Sequence, residues 1–171
     1  SMPACTPSRP PIAVDAGGHA FVGGITNATD FPATAGSWYA LSPYPGSPGG
    51  FAAKLNTDGT GFLYATYVPA GIEAIAVDGA GSAYVAGGSG VWKIDPTGAS
   101  PLYAFTVGGS GYPTNYSYDS AQAIAVDASG NAYVSGITYS SDLPVTAGAF
   151  QTTRPNPSES SRASGFVAKI D

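Results

Sequence analysis

The sequence predicts an all-β fold built from three copies of one antiparallel unit, and three observations support this. The tetrapeptide Ile-Ala-Val-Asp occurs three times, at Ile12–Asp15, Ile75–Asp78 and Ile124–Asp127. Each copy continues with two variable residues and a glycine, and the segment Ala-(Phe/Tyr)-Val then follows one residue later. Only 10% of the residues are charged, whereas 24 are glycine and 15 are proline. Such a composition is typical of short strands joined by many turns.

The Asp-x-x-Gly segment is predicted to turn the chain between the first two strands of each unit. A carboxylate at this position accepts a backbone N–H of its own turn, and the glycine adopts the positive φ that other residues avoid. Asp15, Asp78 and Asp127 are therefore interpreted as structural turn residues. A calcium site is the alternative, but it needs several oxygen ligands in one loop, and each unit offers one carboxylate.

A third strand follows in every unit and a fourth in only two. The third strands are Phe51–Leu55, Val91–Ile94 and Phe166–Ile170, and the fourth are Phe62–Tyr67 and Leu102–Val107. Four antiparallel strands, repeated in this way, are the signature of β-propeller blades. The predicted division is an N-terminal tag or linker (1–10), blade 1 (11–74), blade 2 (75–123) and blade 3 (124–171), which lacks its outer strand.

Three blades are too few to close a propeller ring by themselves. Propellers close with about 4–8 blades, so three blades need partners, either a second copy of the chain or other blades of the parent protein. The flat faces of the two end blades should be apolar and exposed, and we expect Val14, Phe21, Tyr133 and Phe166 to line them.

Long loops are predicted on one face of the blades, at Thr26–Gly50, Gly108–Gln122 and Thr138–Gly165. They carry the candidate ligand-binding aromatic residues Trp38, Tyr39, Tyr44, Tyr112, Tyr116 and Tyr118, as well as Tyr139 and Phe150. Aromatic planes suit recognition of a glycan or a protein. Packing against the blade ends is the alternative. It is preferred for the segment Asp30–Gly36, because the insert that contains it, Thr26–Gly36, recurs 112 residues later as Thr138–Gly148.

Read together, these motifs resemble the bacterial β-propeller repeat family called SBBP. The third unit matches its pattern nearly throughout, with Asp127–Asn131, Tyr133-Val134, Pro144–Phe150 and Phe166–Asp171. The resemblance implies a propeller in a secreted or surface-attached bacterial protein, and it supplies no catalytic residues. A looser similarity to NHL-type propeller repeats rests on the Asp-x-x-Gly hairpin alone.

The negative net charge and the single cysteine argue against several kinds of partner and site. The net charge is −5 and the six basic residues form no run, so we expect neither nucleic acid nor membrane insertion. The single cysteine, Cys5, allows neither an intrachain disulfide nor a cysteine metal cluster. It is interpreted as an incidental thiol, with a lipoprotein cysteine as the alternative. No metal and no cofactor are expected.

Two further residue types receive structural interpretations. Lys54, Lys93 and Lys169 share one position of the third strand, which favours ion pairs between strands or blades. His19, the single histidine, occupies a position held by Ser82 and Asn131 in the other units, so a local hydrogen bond is expected there.

The predicted function is a non-catalytic secreted or cell-surface module for binding or scaffolding. The alternative is a propeller-fold carbohydrate-active enzyme, a lyase or a glycosidase, which would need convergent carboxylates or a base with an arginine. The loop residues that keep this alternative open are Asp30, Asp119, Asp142, Glu159, Arg154 and Arg162.

Overall fold

A computed structural model describes residues 9–110, 119–154 and 162–171. These residues form eleven strands in three antiparallel sheets. The first sheet contains β1 (Ile12–Val14), β2 (Ala20–Thr26), β3 (Gly49–Leu55) and β4 (Phe62–Val68). The second contains β5 (Ala74–Val77), β6 (Ala83–Gly87), β7 (Gly90–Ile94) and β8 (Pro101–Thr106). The third contains β9 (Ser120–Val126), β10 (Ala132–Thr138) and β11 (Ser164–Ile170).

The all-β prediction is confirmed, with sheets of four, four and three strands in which sequential strands are neighbours. Over the described residues, no helix has the length and apolarity needed to cross a membrane.

The repeated turn closes the first hairpin of each sheet in the same way. The final residue of the first strand pairs with the first residue of the second, Val14 with Ala20 in the first sheet. The same pairing joins Val77 to Ala83 and Val126 to Ala132. The turn glycines Gly18, Gly81 and Gly130 have φ values of 82°, 82° and 84°. The local sequence therefore dictates both the position and the shape of this turn.

The second sheet packs between the other two. We call the side of a sheet that faces the next sheet in the chain its front face, and the opposite side its back face. Front residues of the first sheet, Phe21, Ala52 and Tyr64, share one apolar cluster with back residues of the second sheet, Ile75, Val85 and Ile94. A second cluster joins the front of the second sheet (Tyr84, Val91) to the back of the third (Val134, Phe166, Ile170).

Of the four residues predicted to line the two outer faces, two are exposed there and two are buried. Val14 on the back of the first sheet is 61% exposed, and Tyr133 on the front of the third is 42% exposed. Phe21 and Phe166 were also expected on outer faces, and this is wrong, because they are 0% and 8% exposed. Side chains alternate along a strand, and both rings point towards the second sheet.

A glycine recurs in the second strand because the backbone passes close to it. A Cβ on Gly87 would collide with the carbonyl group of Gly71, and a Cβ on Gly136 would collide with that of Ser120. The carbonyl groups of Gly71 and Ser120 thus lie so close to these glycines that a residue with a Cβ does not fit there.

Candidate functional site

The repeated aspartates form the most regular polar feature of the described residues. Oδ1 of Asp78 accepts the backbone N–H groups of Ala80 and Ser82, at 3.0 and 2.9 Å. Its Oδ2 lies 3.1 Å from the Tyr84 hydroxyl and 3.1 Å from Nζ of Lys93. Burial raises the pKa of Asp78, but the hydrogen bonds from Ser82, Lys93 and Tyr84 outweigh it and leave the pKa below its ordinary value.

The other two turns repeat the backbone contact with different side-chain partners. Asp15 accepts the backbone N–H of His19 at 2.9 Å, lies 3.0 Å from the His19 ring and pairs with Lys54 at 3.5 Å. Asp127 accepts the backbone N–H of Asn131 at 2.9 Å and its side-chain amide at 2.8 Å. The hydrogen bond expected within each turn is present in all three. His19 is held locally by Asp15, as its position in the repeat indicates.

Two of the lysines connect one sheet to the next. Lys54 lies 4.9 Å from the centre of the Phe21 ring, and its Nζ sits beside Gly81 in the turn of the second sheet. Lys93 lies 4.7 Å from the centre of the Tyr84 ring and beside Gly130 in the turn of the third. Each lysine thus neutralises the aspartate of its own turn and contacts the glycine of the next turn.

The third sheet carries the same front residues, and no further sheet of the described residues packs against them. Lys169 is exposed and makes no ion pair with any described residue. Around Tyr133 lies an open depression of about 280 Å³, whose lining includes Ala123, Ala125, Ser135 and Val167. This front surface of the third sheet, formed by Tyr133, Val167 and Lys169 with the depression between them, is the first candidate site.

The long-loop aromatics are only partly brought together. The rings of Trp38 and Tyr39 pack with their centres 4.9 Å apart and their planes tilted by 34°, and both residues are half-buried. Tyr44, further along the same loop, is 48% exposed. Tyr112, Tyr116 and Tyr118 lie outside the described residues. Of the predicted ligand-binding set, therefore, Tyr44 is the most exposed of the described members.

The recurring segment Thr26–Gly36 packs on the outer strand of the first sheet. The backbone N–H of Thr34 donates to the carbonyl of Ala65 at 2.8 Å, and its Oγ1 accepts the Ala65 N–H at 3.1 Å. The Tyr67 hydroxyl donates to the carbonyl of Ala28 at 2.9 Å and accepts the N–H of Phe31 at 3.1 Å. Packing, the preferred interpretation of this segment, is what the first sheet shows.

The sequence-based prediction did not single out Thr34. Its recurrence as Thr146, 112 residues later at the same place in the repeat, could have indicated a structural role. A threonine retained inside a duplicated segment indicates a specific hydrogen bond.

The loop carboxylates are mainly engaged with backbone. Asp119, 5% exposed, accepts the N–H groups of Gly109 and Tyr139 at 2.6 and 2.8 Å and the Ser140 hydroxyl at 2.6 Å. Burial alone would raise the pKa of Asp119. The hydrogen bonds to the carboxylate outweigh this effect and leave the pKa below its ordinary value. Asp142 accepts the N–H of Ser110 at 2.9 Å.

The remaining residues of the enzyme alternative are dispersed. Arg154 donates to the Tyr139 carbonyl at 2.7 Å and to the Ser164 hydroxyl at 3.1 Å. Asp30 is exposed, and Glu159 lies outside the described residues. Within the described ranges, no three His, Cys, Asp or Glu side chains group as metal ligands would.

In comparisons with known proteins, no family model and no curated protein matches this chain.

Proposed function

We propose that the three sheets are consecutive blades of a β-propeller and that the chain is a non-catalytic binding or scaffold module. It completes its ring by pairing with the blades of a second copy. One observation carries this proposal. The front residues Tyr84 and Val91 of the second sheet are fully buried, whereas their counterparts in the third, Tyr133 and Val167, are 42% and 80% exposed.

The opposite end of the stack supports the same conclusion. Ile12 and Val14 on the back of the first sheet are 63% and 61% exposed, whereas Ile75, the counterpart of Ile12 in the second sheet, is 8% exposed. Both end faces therefore expose apolar surface that the repeat elsewhere buries against another sheet, and such surface favours association. The internal contacts support a second copy as the partner, because within the chain a front face packs against a back face of the next sheet.

Sedimentation velocity at micromolar concentration tests the pairing. Wild type is expected to sediment as two chains, whereas Tyr133→Glu on the front face and Val14→Glu on the back face should each prevent ring closure. Leu41→Glu places the same charge on a loop residue that lies outside the three sheets and is 79% exposed, and it should leave the mass at two chains. A wild-type chain that remains single at this concentration would contradict pairing with a second copy.

The same proposal places ligand recognition on the long loops and the protein outside the bacterial cell. Tyr44 and Leu41 support the first part, because they leave 48% and 79% of their surface exposed on a loop held by the rigid first sheet. The resemblance to the SBBP repeats supports the second. A panel of glycans should bind wild type and lose affinity for Tyr44→Ala. Equal binding by both proteins would move the ligand site away from this loop.

A further inference from the structure

The chain covers the outer edge of its first sheet with one of its own loops. β4 is the last strand of that sheet. Thr34 donates its backbone N–H to the carbonyl of Ala65 at 2.8 Å, and its Oγ1 accepts the Ala65 N–H at 3.1 Å. Two residues further along β4, the N–H of Tyr67 donates to the carbonyl of Tyr39 at 3.0 Å. The loop between β2 and β3 thus bonds the backbone groups of Ala65 and Tyr67 that point away from the sheet.

The second sheet has no such loop. β6 ends at Gly87 and β7 begins at Gly90, and these two residues pair directly with each other. β8 is the last strand of this sheet, and none of the residues that the structure describes hydrogen-bonds to its outer side. The whole third sheet follows β8 in the chain, so this uncovered edge reflects the short turn between β6 and β7.

The repeat identifies the outward backbone groups of β8. β8 pairs with β7 in the register in which β4 pairs with β3, with the tyrosine of Leu-Tyr-Ala opposite the repeated lysine in both sheets. Ala104 and Thr106 therefore occupy the positions of Ala65 and Tyr67. Their N–H groups point away from β7, and a strand edge of this kind readily accepts an added strand.

The exposed side chains of β8 are uncharged and mostly apolar. Leu102 is 55% exposed and Phe105 is 49% exposed, and Ala104 and Thr106 are exposed as well. Edge strands usually carry charged residues or proline, which prevent pairing with another chain. β8 has Pro101 at its first position and no charged residue, so only the start of the strand is protected in this way.

The edge is complementary to itself. With Ala104 on a two-fold axis, two antiparallel β8 strands would exchange the N–H···O=C bonds of their Ala104 residues as a hydrogen-bonded pair. The same register places Phe105 of each chain opposite Tyr103 of the other, in a non-hydrogen-bonded pair whose side chains lie closer together. β8 brings no carboxylate to this contact, although the whole chain has a net charge of −5. A second copy therefore fits this edge without charge repulsion between the two strands.

We propose that the outer edge of β8 is an interaction surface for a second copy of the chain, which adds antiparallel through its own β8 with Ala104 facing Ala104. The second sheets of the two copies thereby form one continuous sheet. A single pair of short strands buries less surface than a stable interface needs, so this contact forms at higher concentration than the pairing of end faces. It is independent of that pairing, because the edge belongs to the second sheet and the end faces belong to the first and third.

The test uses Tyr133→Glu as the parent protein, because this change blocks the front face of the third sheet. Sedimentation equilibrium from micromolar to millimolar concentration is expected to show the parent converting from single chains to pairs. Phe105→Lys in this parent should weaken the association about tenfold or more, because it places two like charges beside the shared strands. Phe62→Lys is the matched control, since Phe62 is 45% exposed on β4, whose edge the chain covers itself. The control should associate as the parent does.

A second variant and a second measurement locate the contact. Ala104→Pro removes an N–H that points away from β7, so it should prevent association while the circular dichroism spectrum stays that of the parent. Hydrogen–deuterium exchange of the parent should show new protection at Ala104 and Thr106 at millimolar concentration, and Phe105→Lys should lack it.

Three results would overturn the proposal: a parent that stays single at millimolar concentration, equal association of Phe105→Lys and Phe62→Lys, or new protection that lies outside β8. Failure of the end-face pairing is a different result. It appears as a wild-type chain that is single at micromolar concentration, while Tyr133→Glu still forms pairs at millimolar concentration.

Discussion

The hydroxyl of Tyr84 donates a hydrogen bond of 3.0 Å to the carbonyl oxygen of Gly130, which joins the second sheet to the turn of the third. The same hydroxyl lies 3.1 Å from Oδ2 of Asp78. Tyr84→Phe removes both contacts and should lower the free energy of unfolding by about 1 kcal/mol, measured by urea denaturation. The control is Tyr133→Phe at the same repeat position in the exposed front surface, whose effect in the single chain should be much smaller. Equal losses would mean that the contact with Gly130 contributes nothing.

The glycines that end the second hairpin turns test the packing between sheets. Gly59 and Gly98 have φ values of 70° and 75°, so alanine strains the backbone at both positions. A Cβ on Gly98 would also collide with the Tyr64 ring, whereas a Cβ on Gly59 meets no atom within 4 Å. Gly59→Ala should cost about 1–2 kcal/mol. Gly98→Ala should cost about 1–3 kcal/mol more because of overpacking. Thermal or urea unfolding measures the difference, and equal costs would show that the turn does not pack on the ring.

The three turn aspartates should differ in their contribution to stability. Asp78 combines two backbone hydrogen bonds with contacts to Tyr84 and Lys93, whereas Asp127 has no lysine partner in the structure. Asp78→Ala should lower the free energy of unfolding by about 2–3 kcal/mol. Asp127→Ala should lower it by less. Urea denaturation of the two variants gives the ranking, and the reverse order would contradict a stabilising role for the lysine.

Acid should destabilise the fold, and Asp119 should account for part of the loss. Its pKa is lowered in the folded chain, so as the pH falls the unfolded chain binds the proton first. The resulting stabilisation is complete above the ordinary aspartate pKa of about 4 and disappears as the pH falls through the lower folded value. Asp119→Asn should therefore reduce the difference in unfolding free energy between neutral and acidic buffer. Asp30→Asn, an exposed loop carboxylate, controls for the change in net charge, and an unchanged pH dependence in Asp119→Asn would contradict the assignment.

Local features were predictable from the sequence because they depend on neighbouring residues. The turn at Asp127–Gly130 needs a carboxylate and a glycine three positions apart, and the structure has the corresponding hydrogen bonds and positive φ. The pairing of Val126 with Ala132 follows directly from that turn.

The remaining features depend on distant residues. The strand predicted at Ile124 begins earlier, at Ser120, and the N–H of Ala121 bonds the Gly88 carbonyl of the second sheet at 2.6 Å. Which face of a strand meets which neighbour is likewise a property of the stack, so Phe21 and Phe166 were placed on the wrong side. The hydrogen bonds between Thr34 and Ala65 cross 31 residues and have no local signal.

The stack of sheets has a direction, because in both contacts between sheets a front face with tyrosine and lysine meets a back face rich in branched aliphatic residues. If two copies pair as proposed, they are expected to join front to back, and a closed pair would have two identical head-to-tail seams around one rotation axis. A chain blocked at its front and a chain blocked at its back retain one compatible pair of ends between them. Mixed together, they should form one seam and stop, and this open pair would show that the direction of the stack governs assembly.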